Sequence, residues 1–159
     1  MPDALLTNPS AAFAIPSDYT TWKDKDSRPI VYPQQVETFE SNAAFSVGDV
    51  VEFVAPTTTT PLRVKKFANA DLGHFAVGVA LQAATAAGQK IQVCVWGFCL
   101  VNVGSATPAA TNLAVKSGTD GQAAVSGTVD ATLVVGTVLG TFLGAKDANN
   151  QAPLWFLPR

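Results

Sequence analysis

Histidine occurs once in this chain of 159 residues, at position 74, and cysteine only twice, at 94 and 99. A nucleophile–histidine–acid site would have to be built on His74, and no G-x-S-x-G elbow accompanies it. The nearest carboxylate in sequence, Asp71, shares the turn-like stretch NADLGH, where such a group ordinarily bonds local backbone. Two cysteines and one histidine are too few for a structural zinc site without help from carboxylates. Asp24 and Asp26 could touch calcium, but they alternate with lysines in KDKD and read better as a solvated, self-neutralising run. After residue 45 the acids are Asp49, Glu52, Asp71, Asp120, Asp130 and Asp147, mostly at turns. None has the apolar surroundings that would raise a carboxyl pKa for glycoside hydrolysis. The sequence therefore points to no catalytic, cofactor or metal site, and an enzyme is not expected.

Charge is scarce as well. Asp, Glu, Lys and Arg make up 14% of the chain and the formal net charge is −2, which leaves no basic patch for nucleic acid. A long membrane-type run is also missing. The uncharged stretch from Ala131 to Ala145 contains VVGTVLGTFLG, whose two G-x-x-x-G steps resemble the close-packing signal of paired membrane helices. It is shorter than the roughly 17–25 residues a spanning helix needs. Val134, Val135, Thr137, Val138 and Thr141 are β-branched, and the three glycines weaken any helix. The run reads as a β-strand in which Val135, Thr137, Leu139, Thr141 and Leu143 share one face.

Helix signals are few, the short LQAATAAG at 81–88 being the most favourable, while turn residues recur every eight to twelve positions. AVGVALQAA at 76–84 resembles VVGTVLGTF at 134–142 when Gly78 is laid on Gly136. Each is followed by a loop and an apolar aromatic-rich segment, IQVCVWGF or LWFL. Each is preceded by two shorter strand candidates, DVVEFV with LRVKKF and NLAV with QAAVS. The reading is two degenerate four-strand units, about 46–99 and 107–157. In KIQVCVWG, Ile91, Val93 and Val95 share one face and Gln92, Cys94 and Trp96 the other. The expected fold is all-β, a compact barrel or sandwich over residues 46–159. The tryptophans Trp96 and Trp155 are expected to face its core.

Residues 1–45 differ. They hold Pro2, Pro9, Pro16, Pro29 and Pro33, and no period of 2 or 3.6 persists. Aromatics nevertheless recur, unlike in a solvating disordered tail. The segment reads as an extended arm whose Phe13, Tyr19, Trp22, Tyr32 and Phe39 are anchors for its own body or for a partner. The start MPDALLTNPS has no basic n-region, and Asn8 and Pro9 interrupt any apolar h-region, so folding in a reducing cytosol is expected. Cys94 and Cys99 could meet across a bend at Gly97, although two buried thiols acting as small apolar groups is the simpler reading.

The order FSVGDVVEFV, VGVALQAATAAGQKIQVCVWG, VNVG, VVGTVLG resembles the small β-barrel head decoration, or cement, proteins of tailed bacteriophages, over about 46–145. The resemblance implies trimers or other small oligomers seated on the outside of an icosahedral shell, with no catalysis; a homotrimer bound to the major capsid protein is expected, and the charge and run length above leave neither nucleic acid nor membrane as an expected partner. The aromatic N-terminal segment is longer than the resembled family would have it, and from its reach and its aromatic anchors the arm is read as bridging capsomers. A virion fibre or receptor-binding module for host glycan is the alternative, with Trp96, Trp155 and the threonines 57–60 as a sugar platform.

Overall fold

The computed structural model describes residues 33–55, 62–68, 76–116, 120–126 and 138–157. Among these there are nine strands and no helix: β1 Gln34–Ser41, β2 Val50–Phe53, β3 Arg63–Lys66, β4 Ala76–Ala80, β5 Lys90–Asn102, β6 Leu113–Lys116, β7 Ala123–Ser126, β8 Val138–Phe142 and β9 Gln151–Phe156. The helix-friendly stretch 81–88 is loop, and Ala84 pairs with Phe45 in an isolated bridge. The strands join in the order β1-β3-β2-β4-β5-β9-β8-β6-β7, and β1 also pairs with β5, so the first five close into a barrel. The all-β expectation holds.

The repeat is present, and it is larger than the sequence suggests. β3-β2-β4-β5 in the first half is matched by β7-β6-β8-β9 in the second. The registers agree residue by residue. Val51 opposite Gly78 corresponds to Ala114 opposite Gly140, and Val79 opposite Cys94 corresponds to Thr141 opposite Trp155. Val51 opposite Lys66 likewise corresponds to Ala114 opposite Val125. A fifth strand belongs to each unit. β1 runs antiparallel to the first half of β5, and the second half of β5 runs antiparallel to β9 in the same way. Val36 opposite Cys94 becomes Phe98 opposite Trp155, and Glu40 opposite Lys90 becomes Asn102 opposite Gln151. Even the flanking bond recurs, Ser41 N–H to Gln89 C=O at 2.8 Å and Val103 N–H to Asn150 C=O at 3.0 Å. β5 is therefore the last stave of one unit and the first of the next. It changes role at Gly97, which pairs with both Gln34 and Phe156 and has φ of 93°.

Two readings of the sequence are corrected by this register. Gly78 matches Gly140, not Gly136, which lies with residues 134–135 and 137 outside the described residues. Both matched glycines sit at bulges, and neither place has room for a side chain: a Cβ on Gly78 would run into the Cys94 carbonyl and one on Gly140 into the Trp155 carbonyl. The bulge also breaks the alternation read for the glycine run: Leu139 and Phe142 are buried while Val138 and Thr141 are half-buried, so Leu139 and Thr141 do not share a face. The arm boundary moves as well. Gln34–Ser41, placed in the arm by sequence, is a barrel stave, and residues 1–32 lie outside the described residues.

Each unit has its own core. Val51, Val64, Ala80, Ile91 and Val93 fill the first, joined by Phe45 and Ala84. Their counterparts Ala114, Ala123, Phe142, Ala152 and Leu154 line the second. Among the described residues the strand pairings of the second unit end at β7, which pairs with β6, and no strand pair closes the unit. Its core is completed from outside by the first barrel, whose outer residues Val50, Phe67, Ala76, Val79 and Cys94 join it. A polar stitch holds the two together. The Asp49 carboxylate accepts from Ser46 N–H at 2.9 Å and Asn102 Nδ2 at 2.8 Å and pairs with Lys66 Nζ at 3.3 Å. Val50 N–H donates to Gly121 C=O at 2.8 Å, and Gly121 N–H to Phe67 C=O at 2.9 Å. Gly121, next to Asp120, lies in the β6–β7 hairpin connection, as its Asp-Gly pair suggests.

Candidate functional site

The outer face of the second unit is the part of the body that the repeat leaves unexplained. In the first unit the outer row runs from Phe67, just past the end of β3, through Val50, Val79 and Cys94 on β2, β4 and β5, and all four residues are fully buried against the second unit. The matching row of the second unit is Ser126, Leu113, Thr141, Trp155, and all four are half-buried. Trp155 meets Trp96 edge to face, with ring centroids 5.1 Å apart and planes at 78°. Trp96 is 39% exposed, so the tryptophans do not face the core as expected. The reason is the turn of β5 at Gly97. Cys94 and Trp96 lie on one face of the strand, but only Cys94 reaches the second unit's core. Leu143, 43% exposed, donates its N–H to Pro153 C=O and extends the apolar surface.

This face lies where the N-terminal segment enters the body. Phe98 N–H donates to Pro33 C=O at 3.0 Å, and Gln35 sits opposite Trp96. Of the expected anchors, Phe13, Tyr19, Trp22 and Tyr32 lie outside the described residues. Phe39 is in β1, half-buried on the first core and edge to face with Phe53 at 5.5 Å. Its ring is thus used at least in part by its own barrel. The threonine loop 57–60 and His74 also lie outside the described residues.

The remaining polar groups are arranged as braces. Fully buried Glu52 pairs with Lys65 at 3.0 Å, and Arg63 Nε donates to Glu40 Oε1 at 2.6 Å beside the β1–β3 contact. Among the described residues no three of His, Cys, Asp and Glu gather as metal ligands would. The bend at Gly97 does bring Cys94 and Cys99 together as free, buried thiols. A hydrogen bond from Cys99 holds the Cys94 thiol below its ordinary pKa, whereas burial pushes Cys99 well above. Reactivity needs an accessible thiolate. Iodoacetamide at pH 8 is therefore expected to modify neither thiol of the native protein while both react in urea, read by intact mass. Rapid labelling of the native protein would contradict the burial.

No protein-family model matches the sequence, and no curated protein matches it. A solved structure does resemble the fold: the N base of head fiber gp8.5 of bacteriophage phi29. It aligns with a TM-score of 0.52 at 15% identity, covering 77% of this chain and 95% of that one. At that identity the likeness shows a shared fold.

Proposed function

We propose that this chain is a structural protein of a bacteriophage head, bound to the outside of the shell. The observation that carries the reading is the likeness to the base of a phage head fiber, which spans nearly all of that chain. The sequence resemblance to phage head decoration proteins rests on different grounds and leads to the same particle. The absence of a recognisable catalytic constellation in the sequence fits a protein that works through its surfaces. In this reading the major capsid protein is the partner, and residues 1–32 supply Phe13, Tyr19, Trp22 and Tyr32 to seams between capsomers. Fully extended, that segment could reach roughly 100 Å at ~3.3 Å per residue, enough to cross onto a neighbouring capsomer. Its prolines lower the entropy lost on docking.

Two roles on the shell differ in what the bound protein does. A cement ties capsomers together, whereas a fibre base carries something outward. The fibre role is favoured by the phi29 structure and by the exposed indole of Trp96, whose face could stack on a sugar ring. Co-sedimentation with empty shells tests the common reading, and no binding to shells of the cognate phage would overturn it. Calorimetry of the same complexes separates the roles: a cement raises the shell's melting temperature, and a fibre base leaves it unchanged.

A further inference from the structure

We propose that Lys66 and Asn102 become joined by an intramolecular isopeptide bond, with Asp49 as the group that moves the protons. The argument comes from the polar stitch between the two units and does not rest on the phage-head reading. In that stitch an amine and a primary amide are held on the two oxygens of one carboxylate. Lys66 Nζ lies 3.3 Å from Asp49 Oδ2, and Asn102 Nδ2 donates to Asp49 Oδ1 at 2.8 Å. The Asn102 amide is fixed on its other side too. Its Oδ1 accepts from Gln151 Nε2 at 3.1 Å, and its Nδ2 also donates to Val47 C=O at 2.9 Å. Nucleophile, leaving group, proton carrier and a donor to the carbonyl oxygen thus form one connected set.

The surroundings hold this set in place. The Asp49 side chain is 6% exposed, and its Oδ2 also accepts from Ser46 N–H at 2.9 Å, which fixes the carboxylate between its two partners. Burial keeps water from competing for the protons it carries. Lys66, with a side chain 38% exposed, leaves the site one open side. Gly121 closes over the pair from the second unit: a Cβ there would meet Lys66 Cγ at 2.7 Å, its Cδ at 2.9 Å and Asp49 Cγ at 3.1 Å. Gly48 makes the same room at the amide, where a Cβ would lie 2.7 Å from both Asn102 Oδ1 and Gln151 Nε2. The set belongs to the joint and is not a by-product of the repeat. The register counterparts of Lys66, Asn102 and Gln151 are Val125, Glu40 and Lys90.

The step is a transamidation. The Lys66 ammonium passes a proton to the Asp49 carboxylate, and the neutral amine attacks Asn102 Cγ to form the new C–N bond. The carbonyl π electrons move onto Oδ1, where the Gln151 amide meets the developing negative charge. Asp49 gives its proton to Nδ2, which is already hydrogen-bonded to it, and takes one from the attacking nitrogen. The C=O bond re-forms as the Cγ–Nδ2 bond breaks. Ammonia leaves by the open side with the last proton, as ammonium, and Asp49 is again a carboxylate. One ammonium and one amide enter, one amide and one ammonium leave, and nothing is oxidised or reduced. The product ties β3 of the first barrel to the end of β5, the strand that both units share.

Intact-mass spectrometry of the purified, denatured full chain tests this. The chain is expected to be lighter than its sequence requires by one ammonia. A tryptic digest is expected to contain a branched peptide that joins Lys66 to Asn102, with no cleavage after Lys66. Lys66→Arg keeps a positive charge beside Asp49 and is expected to restore the full mass, as are Asn102→Ala and Asp49→Ala. Because Asp49→Ala could fail to fold, Gln151→Ala provides a second arm. It leaves the ion pair in place and is expected to slow bond formation at least about tenfold, followed by mass after a pulse of synthesis. A wild-type chain of full sequence mass overturns the proposal. So does loss of ammonia without the branched peptide, which is what a succinimide at an asparagine would give. A bond that forms equally fast in folded Asp49→Ala overturns it as well. None of these results bears on shell binding, which the co-sedimentation measures separately.

Discussion

Valine in place of Gly140 is expected to destabilise the protein by about 3–5 kcal/mol, a large part of a typical domain's stability. Two effects add. Gly140 has φ of 145°, a backbone conformation that side chains other than glycine's rarely adopt and that costs about 1–3 kcal/mol to impose. Its position also lacks room, because a Cβ there would collide with the carbonyl oxygen of Trp155 and crowd the amide of Leu157. Those backbone groups belong to β9 and its continuation and cannot rotate away as a side-chain end could. Gly78 occupies the matching position in the first unit, against the Cys94 carbonyl, and its φ is not in the positive range. Gly78→Val is therefore expected to suffer the collision without the backbone strain and to lose less. Gly88 separates the two effects from the other side. It has φ of 84° but open space around it, so Gly88→Ala is expected to cost only about 1 kcal/mol. Urea unfolding of the three variants gives the order directly. A Gly140→Val protein within about 1 kcal/mol of wild type would mean that the bulge in β8 is not held against β9 as described.

The bulge glycines show what the sequence could and could not disclose. Two glycines in apolar β-branched strands were enough to suggest a repeat and a close backbone approach. They could not fix the register, because VVGTVLGTFLG offers a glycine every four residues and the wrong one gave an equally good match. Only the neighbouring carbonyl of Trp155, on the strand paired with β8, selects Gly140. The double role of β5 was hidden for a similar reason. Alternation assigned the faces of Ile91, Val93 and Cys94 correctly, since side chains of a strand must alternate. A strand's partners leave no such local mark, so nothing in KIQVCVWGFCLVN announces that pairing passes from β1 to β9 at Gly97. The first stave was missed because QQVETFES is mostly polar, with Val36 and Phe39 as its only large apolar residues and not two apart, and prolines precede it. The exposure of Trp96 was misjudged from composition. Aromatics in strands usually face a core, but here the core ends one bend too early.

Removing residues 1–41 is expected to unfold the body, and removing residues 1–32 is not. The difference is β1. It pairs with β5 from Gln34–Gly97 to Glu40–Lys90 and with β3 at Glu40–Arg63 and Ser41–Val64, closing the first barrel. Without it Val64, Ile91 and Val93 lose the strand that covers one side of their core, and the facing edges of β3 and β5 lose their backbone partners. Several apolar side chains at about 1.5–3 kcal/mol each, together with the unpaired backbone, exceed the margin of a domain stable by roughly 5–15 kcal/mol. The shorter deletion stops before Pro33, whose carbonyl accepts from Phe98 N–H, and leaves every described strand intact. It is expected to keep the wild-type circular dichroism and a single cooperative urea transition. If the arm reading of the function is right, the same truncated protein loses its hold on empty shells. Trp22→Ala and Tyr32→Ala in the full chain lose less, about 1–3 kcal/mol for each side chain seated in a capsomer seam. A folded and stable product of the longer deletion would show that the barrel does not need β1. Undiminished shell binding by the shorter one would move the anchoring surface from the N-terminal segment to the barrel.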